Sequence, residues 1–513
     1  MPPIEHVFVL MLENRAFDHM LGFSGITGTD AVTGNPTEIN GLSGAESNAW
    51  NGISYAVAQP APDPMTVDPY HEFTDVLKQL CGPAAAYPRG GPYPPINSSG
   101  FVANFAQDAK SPSPVDVMKC FAPPQLPVLD ALAKEFAICD SWFCSLPGPT
   151  FPNRFFALGA SSSGLDHSPT TPETVIWQTV DGFQFQNGSI FDRGRGFLNF
   201  IKGLLPFVRK FKWRIYAGNK LFTLAHAVQG IHIQDITRYS RFAQDVSKTN
   251  YPARFTWIEP SYGHVATDYV GGNSQHPLDG VTGGEALIKA TYEAIRNSPL
   301  WKSSMLIVTW DEHGGFFDHV APPRAIPPGD ETQFESSNKY GFAFDQYGPR
   351  IPALVISPLI PPNIIDHRPH DHTSILATVE RLFGLRPLTN RDRGANDLRS
   401  LASLPSPRFD TPAAIALRPE ANTAYSAISL DTLERPIPPA ARESDPIESH
   451  HNLPGFLYVA ARTDAELPPQ GVAPVDHAAH VSARLGAITT RGQARDYFEE
   501  VRRKTVAAEP EIE

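Results

Sequence analysis

The chain has 513 residues, more than one hydrophobic core usually fills, so one large catalytic unit with an appended segment, or two domains, is expected. An apolar fraction of 41% suits a well-packed core, while 42 Lys and Arg against 54 Asp and Glu leave a net charge of −12. No basic run is long enough to track phosphates, so no nucleic-acid partner is expected. No apolar stretch reaches the roughly 20 residues that cross a bilayer, which argues against an integral membrane protein. The chain opens Met1-Pro2-Pro3-Ile4-Glu5-His6 with no cationic stretch before its short apolar run. The expectation is therefore a cytoplasmic protein, or a secreted or periplasmic one if the amino terminus has been trimmed.

In chain order, Val7-Phe8-Val9-Leu10-Met11-Leu12 reads as a strand covered on both faces, breaking off into Glu13-Asn14. Residues 24 to 70 and 82 to 100 are rich in Gly, Asn, Thr and Pro and read as long loops roofing an active site. The four cysteines, Cys81, Cys120, Cys139 and Cys144, form no Cys-x-x-Cys pair. Free buried thiols fit as well as a Cys139–Cys144 bridge, and a zinc–cysteine site is not expected. A helix from Pro127 through Lys134 leads into a strand over 136–139, and Pro152 opens a helical segment from Asn153 to Ala160. Strands follow at 213–217, 255–259, 306–310 and 353–357, with helices near 284–297 and 373–383, the last closed by Gly384. Alternation of this kind means an α/β fold with a parallel or mixed sheet flanked by helices. Past residue 386 the pattern weakens into proline-rich stretches such as Pro436-Ile437-Pro438-Pro439, and only 483–504 looks helical. Residues 1–385 read as the catalytic domain and 386–513 as a wrapping tail or small accessory region.

Four segments carry chemistry. Glu13-Asn14-Arg15-Ala16-Phe17-Asp18-His19 puts a carboxylate and an amide at a strand end, where both offer oxygen to a divalent cation. The plainer alternative is a helix cap with a salt-bridged first turn. In Gly148-Pro149-Thr150-Phe151-Pro152-Asn153-Arg154, Thr150 at a helix entrance beside a cation is a candidate nucleophile, and Asn153 can donate to a phosphoryl oxygen. An ordinary capping threonine fits the same spacing. Asp311-Glu312-His313-Gly314-Gly315-Phe316-Phe317-Asp318-His319 is the most specific signal, with paired carboxylates at a strand end and glycines that let the backbone approach a ligand closely. Asp318 and His319 fit either a supporting role or a local ion pair. The fourth set is His71 and His276, in polar loops. Of the chain's 17 histidines, these are the ones that a transferring phosphoryl group would use as acid or countercharge, but only with outside support.

These segments, together with Asp371-His372-Thr373-Ser374-Ile375-Leu376, resemble in sequence and order the signature segments of a bacterial phosphoesterase family. That family contains the non-haemolytic phospholipases C and a respiratory-burst-inhibiting acid phosphatase, and the resemblance runs from residue 4 to about 385. It implies a fold similar to the alkaline phosphatase superfamily: α/β, a central mostly parallel sheet flanked by helices on both faces, with long active-site loops. It also implies a single divalent metal ion held by the residues matching Glu13, Asn14, Thr150, Asp311 and Glu312. The ion's identity stays open among calcium, magnesium, manganese, iron and zinc. Thr150 is then the nucleophile, Asn153 binds the phosphoryl group, and His71 and His276 bind phosphate or act as acids. The roles of His313, Asp318, His319 and His372 stay open.

The implied reaction is hydrolysis of a phosphate ester, a phospholipid head group among the candidate substrates. It proceeds by in-line attack of Thr150, departure of the alcohol with a histidine's help, and hydrolysis of a phosphothreonine by metal-activated water. Threonine rather than serine at position 150 is closer to the phospholipase C branch. The short region after 386 departs from that branch, so an acid phosphatase acting on phosphomonoesters stays open. A sulfatase-like or phosphonate-cleaving hydrolase uses similar strand-end acids, and a catalytically silent metal-stabilised binding protein is the remaining rival.

Overall fold

The computed structural model describes residues 3–107, 113–194, 211–267, 269–332, 335–418, 430–437, 443–447 and 452–509. Its strands are β1 (His6–Leu12), β2 (Thr27–Asp30), β3 (Pro36–Glu38), β4 (Ser47–Trp50), β5 (Ile53–Ala56), β6 (Ala137–Cys139), β7 (Trp213–Ala217), β8 (Ile236–Arg238), β9 (Phe255–Glu259), β10 (Ser304–Trp310), β11 (Ala353–Ile356) and β12 (Ile364–Asp366). A 10-stranded sheet runs β3-β2-β12-β6-β11-β10-β1-β9-β7-β8, and β4 and β5 pair separately. Parallel pairing predominates: β1 lies parallel to both β9 and β10, β7 continues from β9 in the same sense, and β11 is antiparallel to its neighbours β10 and β6.

The register of β1 on β10 sets Leu12 opposite Trp310. Both strands are buried along their length apart from His6, as continuous apolar strands covered on two faces should be. Glu13-Asn14 and Asp311-Glu312 therefore leave the same edge of the sheet as neighbours, the crevice where open parallel sheets hold ligands.

Helices Pro127–Glu135, Thr282–Arg296 and Thr373–Phe383 stand where the sequence places them, and Gly384 closes the last with φ +64°. The helix expected from Asn153 begins earlier, at Thr150, because Pro152 sits in the first turn, where a missing N–H has no intrahelical partner to lose. The stretch 24–70 is not all loop. It holds β2 to β5, short strands whose polar, half-exposed residues carry no apolar alternation to reveal them. All four cysteines are free thiols. Among the described residues no helix is long and apolar enough to cross a membrane.

The carboxyl-terminal segment differs most from expectation. In place of one helical stretch over 483–504 it forms three helices, Leu453–Ala465, Pro474–Ala487 and Arg491–Ala508, with Thr490 capping the last by accepting from Gln493 N. Leu453 through Asp464 are buried on every side, so this helix shows no polar face to the sequence. Its Phe456 belongs to the same hydrophobic cluster as Phe8, Phe151 and Trp257. Pro438 and Pro439 of the proline-rich stretch lie outside the described residues.

Glu466, just past that first helix, ties it down. Its carboxylate accepts from Ile233 N at 2.7 Å and lies 3.1 and 3.2 Å from His226 and His232. Burial disfavours its charge, but His226, Ile233 N–H and Arg462 outweigh that and hold its pKa down at about 2. His226 is itself buried deeply enough that its own pKa is lowered, so at neutral pH the Ile233 N–H and Arg462 are the dependable partners. A depressed carboxyl pKa stabilises the fold above the unfolded value and ceases to do so as pH falls through the folded one. The anchoring contribution should thus be complete above pH 4.5 and fade between 4.5 and about 2. Glu466→Gln is expected to flatten that part of the stability curve, measured by denaturant unfolding at stepped pH.

Candidate active site

At the end of β1 the Glu13 backbone N–H donates to Ser274 O at 2.9 Å, while its carboxylate is fully buried with the Ser274 hydroxyl nearby but no hydrogen bond to either oxygen. Asn14 adopts the left-handed φ of +58°, which turns its backbone N–H onto Asp311 Oδ1 at 2.9 Å. Its Nδ2 meets His71 Nε2 at 3.2 Å, and its Oδ1 is buried with no donor. Across the crevice, Glu312 Oε2 accepts from Gly314 N at 2.8 Å and Oε1 is buried without a hydrogen bond, 3.8 Å from His71 Nε2. Asp311 is different. Its Oδ1 takes the Asn14 and Glu312 N–H groups and its Oδ2 takes Arg154 Nε at 2.9 Å, so protein donors occupy both oxygens.

Three buried carboxylates thus share one crevice with one buried guanidinium. Burial, then the Asp311 charge, raises the Glu13 pKa well above the usual range, with Arg154 pulling the other way. Asp311 is raised by burial and Glu312 against the pull of Arg154. Four buried oxygens without donors among the described residues, beside an excess of negative charge, are what a hard divalent cation satisfies. The donor set fits such an ion through Glu13, Asn14 and Glu312, with Asp311 alongside.

Thr150 opens its helix fully buried, and its Oγ accepts a hydrogen bond from Asn452 Nδ2 at 3.0 Å. One turn on, Arg154 reaches Leu12 O at 2.9 Å as well as Asp311, which clamps the start of this helix to the end of β1. Asn153 is committed to the loop. Its Nδ2 donates to the Gly148 and Pro149 carbonyls at 2.9 and 3.1 Å, and its Oδ1 accepts from Leu146 N at 3.3 Å. Asp371 holds the same loop through Ser145 Oγ at 2.8 Å, and Arg391 through Ser145 O at 2.9 Å.

His71 Nδ1 donates to Pro69 O at 2.7 Å. Burial opposes its charge, but Glu312, Asp68 and the Pro69 carbonyl raise its pKa to about 9. The Asn14 Nδ2 contact is that of an unprotonated Nε2, so two influences compete at this ring. His276 Nδ1 accepts from Leu278 N at 3.3 Å, which leaves the proton on Nε2, 3.4 Å from Asp68 Oδ2, and its ring stacks on Tyr269 with centroids 3.6 Å apart. His372 bonds the Asp311 carbonyl at 2.6 Å, and His313 bonds Gln79 Oε1 at 2.8 Å. Asp318 and His319 join a buried ion network with Asp18 and Arg350, the local ion-pair alternative. Among the described residues, sets of three metal-type ligand atoms within 4.8 Å of one another occur at Asp18–Asp318–His319 and Cys139–Asp366–His370. The first is already neutralised by Arg350 and the second is paired internally with Arg368.

The structure therefore gathers Glu13, Asn14, Asp311, Glu312, His71 and the Thr150 helix around the ends of β1 and β10, with His276 reached through Asp68 and Tyr269. The model of the Phosphoesterase family matches residues 4–386. The chain belongs to the phosphoesterase family. Curated relatives include non-specific phospholipase C3 of Arabidopsis thaliana, 33% identical over 82% of this phosphoesterase and 77% of that protein. Phospholipase C B of Mycobacterium tuberculosis is 29% identical over 79% and 78%. A solved protein in the alkaline phosphatase superfamily from Vibrio parahaemolyticus aligns over 54% of this phosphoesterase and 65% of that chain, at 16% identity and a TM-score of 0.32. The family and these relatives make the protein a phosphoric ester hydrolase.

Arg154, Asp68, Tyr269 and Asn452 carried no role in the sequence. Arg154 stood inside a motif already singled out, and the need of Asp311 for a countercharge was its signal. Asn452 had none, lying about 300 residues from its partner.

The glycine pair works on protein rather than on a ligand. A Cβ on Gly314, at φ +66°, would lie 2.2 Å from Asn14 O, and one on Gly315 2.7 Å from Tyr70 O, so both glycines admit the backbones that carry Asn14 and His71. Gly314→Ala is expected to lower stability by about 1–3 kcal/mol from the left-handed backbone alone. The readout is the midpoint of thermal unfolding, with turnover falling as Asn14 is pushed away.

Proposed function

We propose that this phosphoesterase acts as a phospholipase C-type enzyme on phospholipid phosphodiesters, with Thr150 as nucleophile and a divalent cation at the ends of β1 and β10. The observation that carries this reading is the buried set of donorless oxygens on Glu13, Asn14 and Glu312 beside Asp311. The names of the relatives support the substrate class. Glu13, Asn14, Glu312, Asp311 and Thr150 Oγ would hold the ion, which would offset the carboxylate charge and polarise the phosphoryl oxygens.

The chain's own groups do the rest. Thr150 Oγ attacks phosphorus in line, the bond to the leaving oxygen breaks, and that oxygen takes a proton from a histidine. His276 would serve as this acid in its doubly protonated form, with Asp68 Oδ2 3.4 Å from its Nε2 to balance the added charge and Tyr269 holding the ring flat. The hydroxyl's lost proton and the leaving group's gained one balance through His276 and solvent. Water then attacks the phosphothreonine and Thr150 Oγ leaves, so two inversions give net retention. His71, whose Nε2 lies 3.2 Å from Asn14 Nδ2 and 3.8 Å from Glu312 Oε1, stands beside the candidate ion where it would bind a phosphoryl oxygen. We assign Asn153 to shaping the nucleophile's loop, because its amide is spent on the Gly148 and Pro149 carbonyls.

Thr150→Ala is expected to abolish turnover while the unfolding midpoint stays within a few degrees of the native one, as befits loss of one hydroxyl at a helix start. Retained turnover would remove Thr150 from its role. A panel of phosphatidylcholine, nitrophenyl phosphorylcholine, nitrophenyl phosphate and nitrophenyl sulfate should show diesters turned over fastest, and a preference for the monoester would move the assignment to acid phosphatase.

Glu13→Gln removes one of three crowded charges. In chelator-treated protein it should raise the unfolding midpoint. It should also cancel the stabilisation of about 2.7 kcal/mol that a divalent cation at a hundredfold excess over its Kd gives the native chain. Equal stabilisation of both proteins by the cation would show that Glu13 is not a ligand.

A further inference from the structure

We propose that Asn452, from the carboxyl-terminal segment, is a catalytic residue of this site: its amide N–H fixes the direction of Thr150 Oγ and stabilises that oxygen as it departs from phosphorus. The inference rests on the assignment of Thr150 as nucleophile.

Asparagine ahead of a helix normally spends its side chain on the helix's own free N–H groups. Asn452 precedes helix Leu453–Ala465 but makes no such cap, and its backbone is already helical at φ −68° and ψ −9°. Its amide is directed instead across the interface, where Nδ2 donates to Thr150 Oγ at 3.0 Å. The residue is 4% exposed, and its Oδ1 is buried with no donor among the described residues, so the side chain is not placed there to satisfy its own surroundings. The amide is also in hydrogen-bonding reach of the Tyr269 hydroxyl, whose ring lies on His276. Asn452 thus stands between the nucleophile and the candidate acid.

The packing shows that this contact is built. A Cβ on Gly455 would fall 2.2 Å from the Phe151 ring, so only glycine lets the helix approach the residue next to Thr150 this closely. Phe456 then packs against Phe151, Tyr262 and Phe222, with centroids 6.2, 5.1 and 5.9 Å away. The amide is carried on a rigid element, as a group that must aim at one atom requires.

Asn452 makes and breaks no covalent bond. In the first step Thr150 Oγ bonds to phosphorus and passes negative charge to the leaving oxygen. In the second, water bonds to phosphorus, the P–Oγ bond breaks, and Oγ regains the electron pair and later a proton. The donor matters most in that second step, where charge returns to an oxygen in a dry site.

The test uses the full-length, metal-loaded chain with nitrophenyl phosphorylcholine. Asn452→Leu keeps side-chain volume without a donor, and Asn452→Asp keeps the shape but turns oxygen toward Oγ. Both are expected to lower kcat by about 100-fold, the scale of one lost oxyanion donor, without raising KM. Acid-quenched samples should contain phosphorylated Thr150 by mass spectrometry at levels well above those of the native chain. Unfolding midpoints are measured for both, and if the leucine variant does not fold, the aspartate variant decides. Native-like kcat in a folded variant overturns the proposal, and so does a loss of kcat with raised KM and no phosphothreonine. If Thr150→Ala is inactive while the Asn452 variants behave as native, this inference alone falls. If Thr150→Ala is active, the nucleophile assignment falls first.

Discussion

The constraint on which this structure turns is the crowding of three buried carboxylates, Glu13, Asp311 and Glu312, at the ends of two paired parallel strands. Their proximity follows from the register of β1 on β10, so it cannot be relaxed without unpairing the centre of the sheet. Burying like charges is costly in a medium of low dielectric. The fold meets the cost partly with backbone N–H groups from Asn14, Glu312 and Gly314, and partly with Arg154. What remains falls on Glu13, whose carboxyl oxygens have no hydrogen bond among the described residues and whose pKa burial and Asp311 raise well above the usual range. A carboxyl so buried, with both oxygens unpartnered among the described residues and two further carboxylates beside it, is the physical mark of a site made to bind.

Backbone geometry points to the same place. Asn14, Tyr269 and Gln275 adopt left-handed φ values of +58°, +63° and +67°, a region that side chains occupy at some cost. Asn14 thereby delivers its N–H to Asp311, and Gln275 delivers its carbonyl to Arg15 Nε at 2.8 Å, which steadies the turn leading to His276. Arg15 is wedged near the rings of Phe121 and Phe316, 5.6 and 5.3 Å from its guanidinium. At Asn14 and Gln275, two of several non-glycine residues with positive φ, strain thus fixes single atoms of the site, and the surrounding aromatic packing holds them in place.

Much of this was legible in the sequence for one reason: uninterrupted apolar runs that stop at an acid identify both a buried strand and the end that carries chemistry. Val7 to Leu12 and Leu306 to Trp310 showed the strands and the acids beyond them directly, while their pairing and register came only with the structure. The short strands β2 to β5 were not visible because half-exposed polar residues leave no periodicity. Helix Leu453–Ala465 was hidden for the opposite reason, being covered on every side. His71 and His276 needed the family resemblance, since a histidine in a polar loop has no pattern of its own. Asn452 was beyond reach, because its meaning lies in a contact made across about 300 residues.

The carboxyl-terminal helices are joined to the site by packing before chemistry enters. Every residue of helix Thr150–Gly159 is buried, so the nucleophile's helix has no solvent face and must be covered on each side. The sheet and helix Thr373–Phe383 supply part of that cover. Phe151 and Phe155 need more, and they find it in Phe456, Trp177 and Phe183 within one hydrophobic cluster. Each such aromatic ring contributes roughly 2–3 kcal/mol by leaving water, so a chain ended before residue 453 would expose Phe151 at the side from which Asn452 reaches Thr150. A nucleophile set on a wholly buried helix gains a dry, fixed environment, and the same burial makes its position depend on residues three hundred places away.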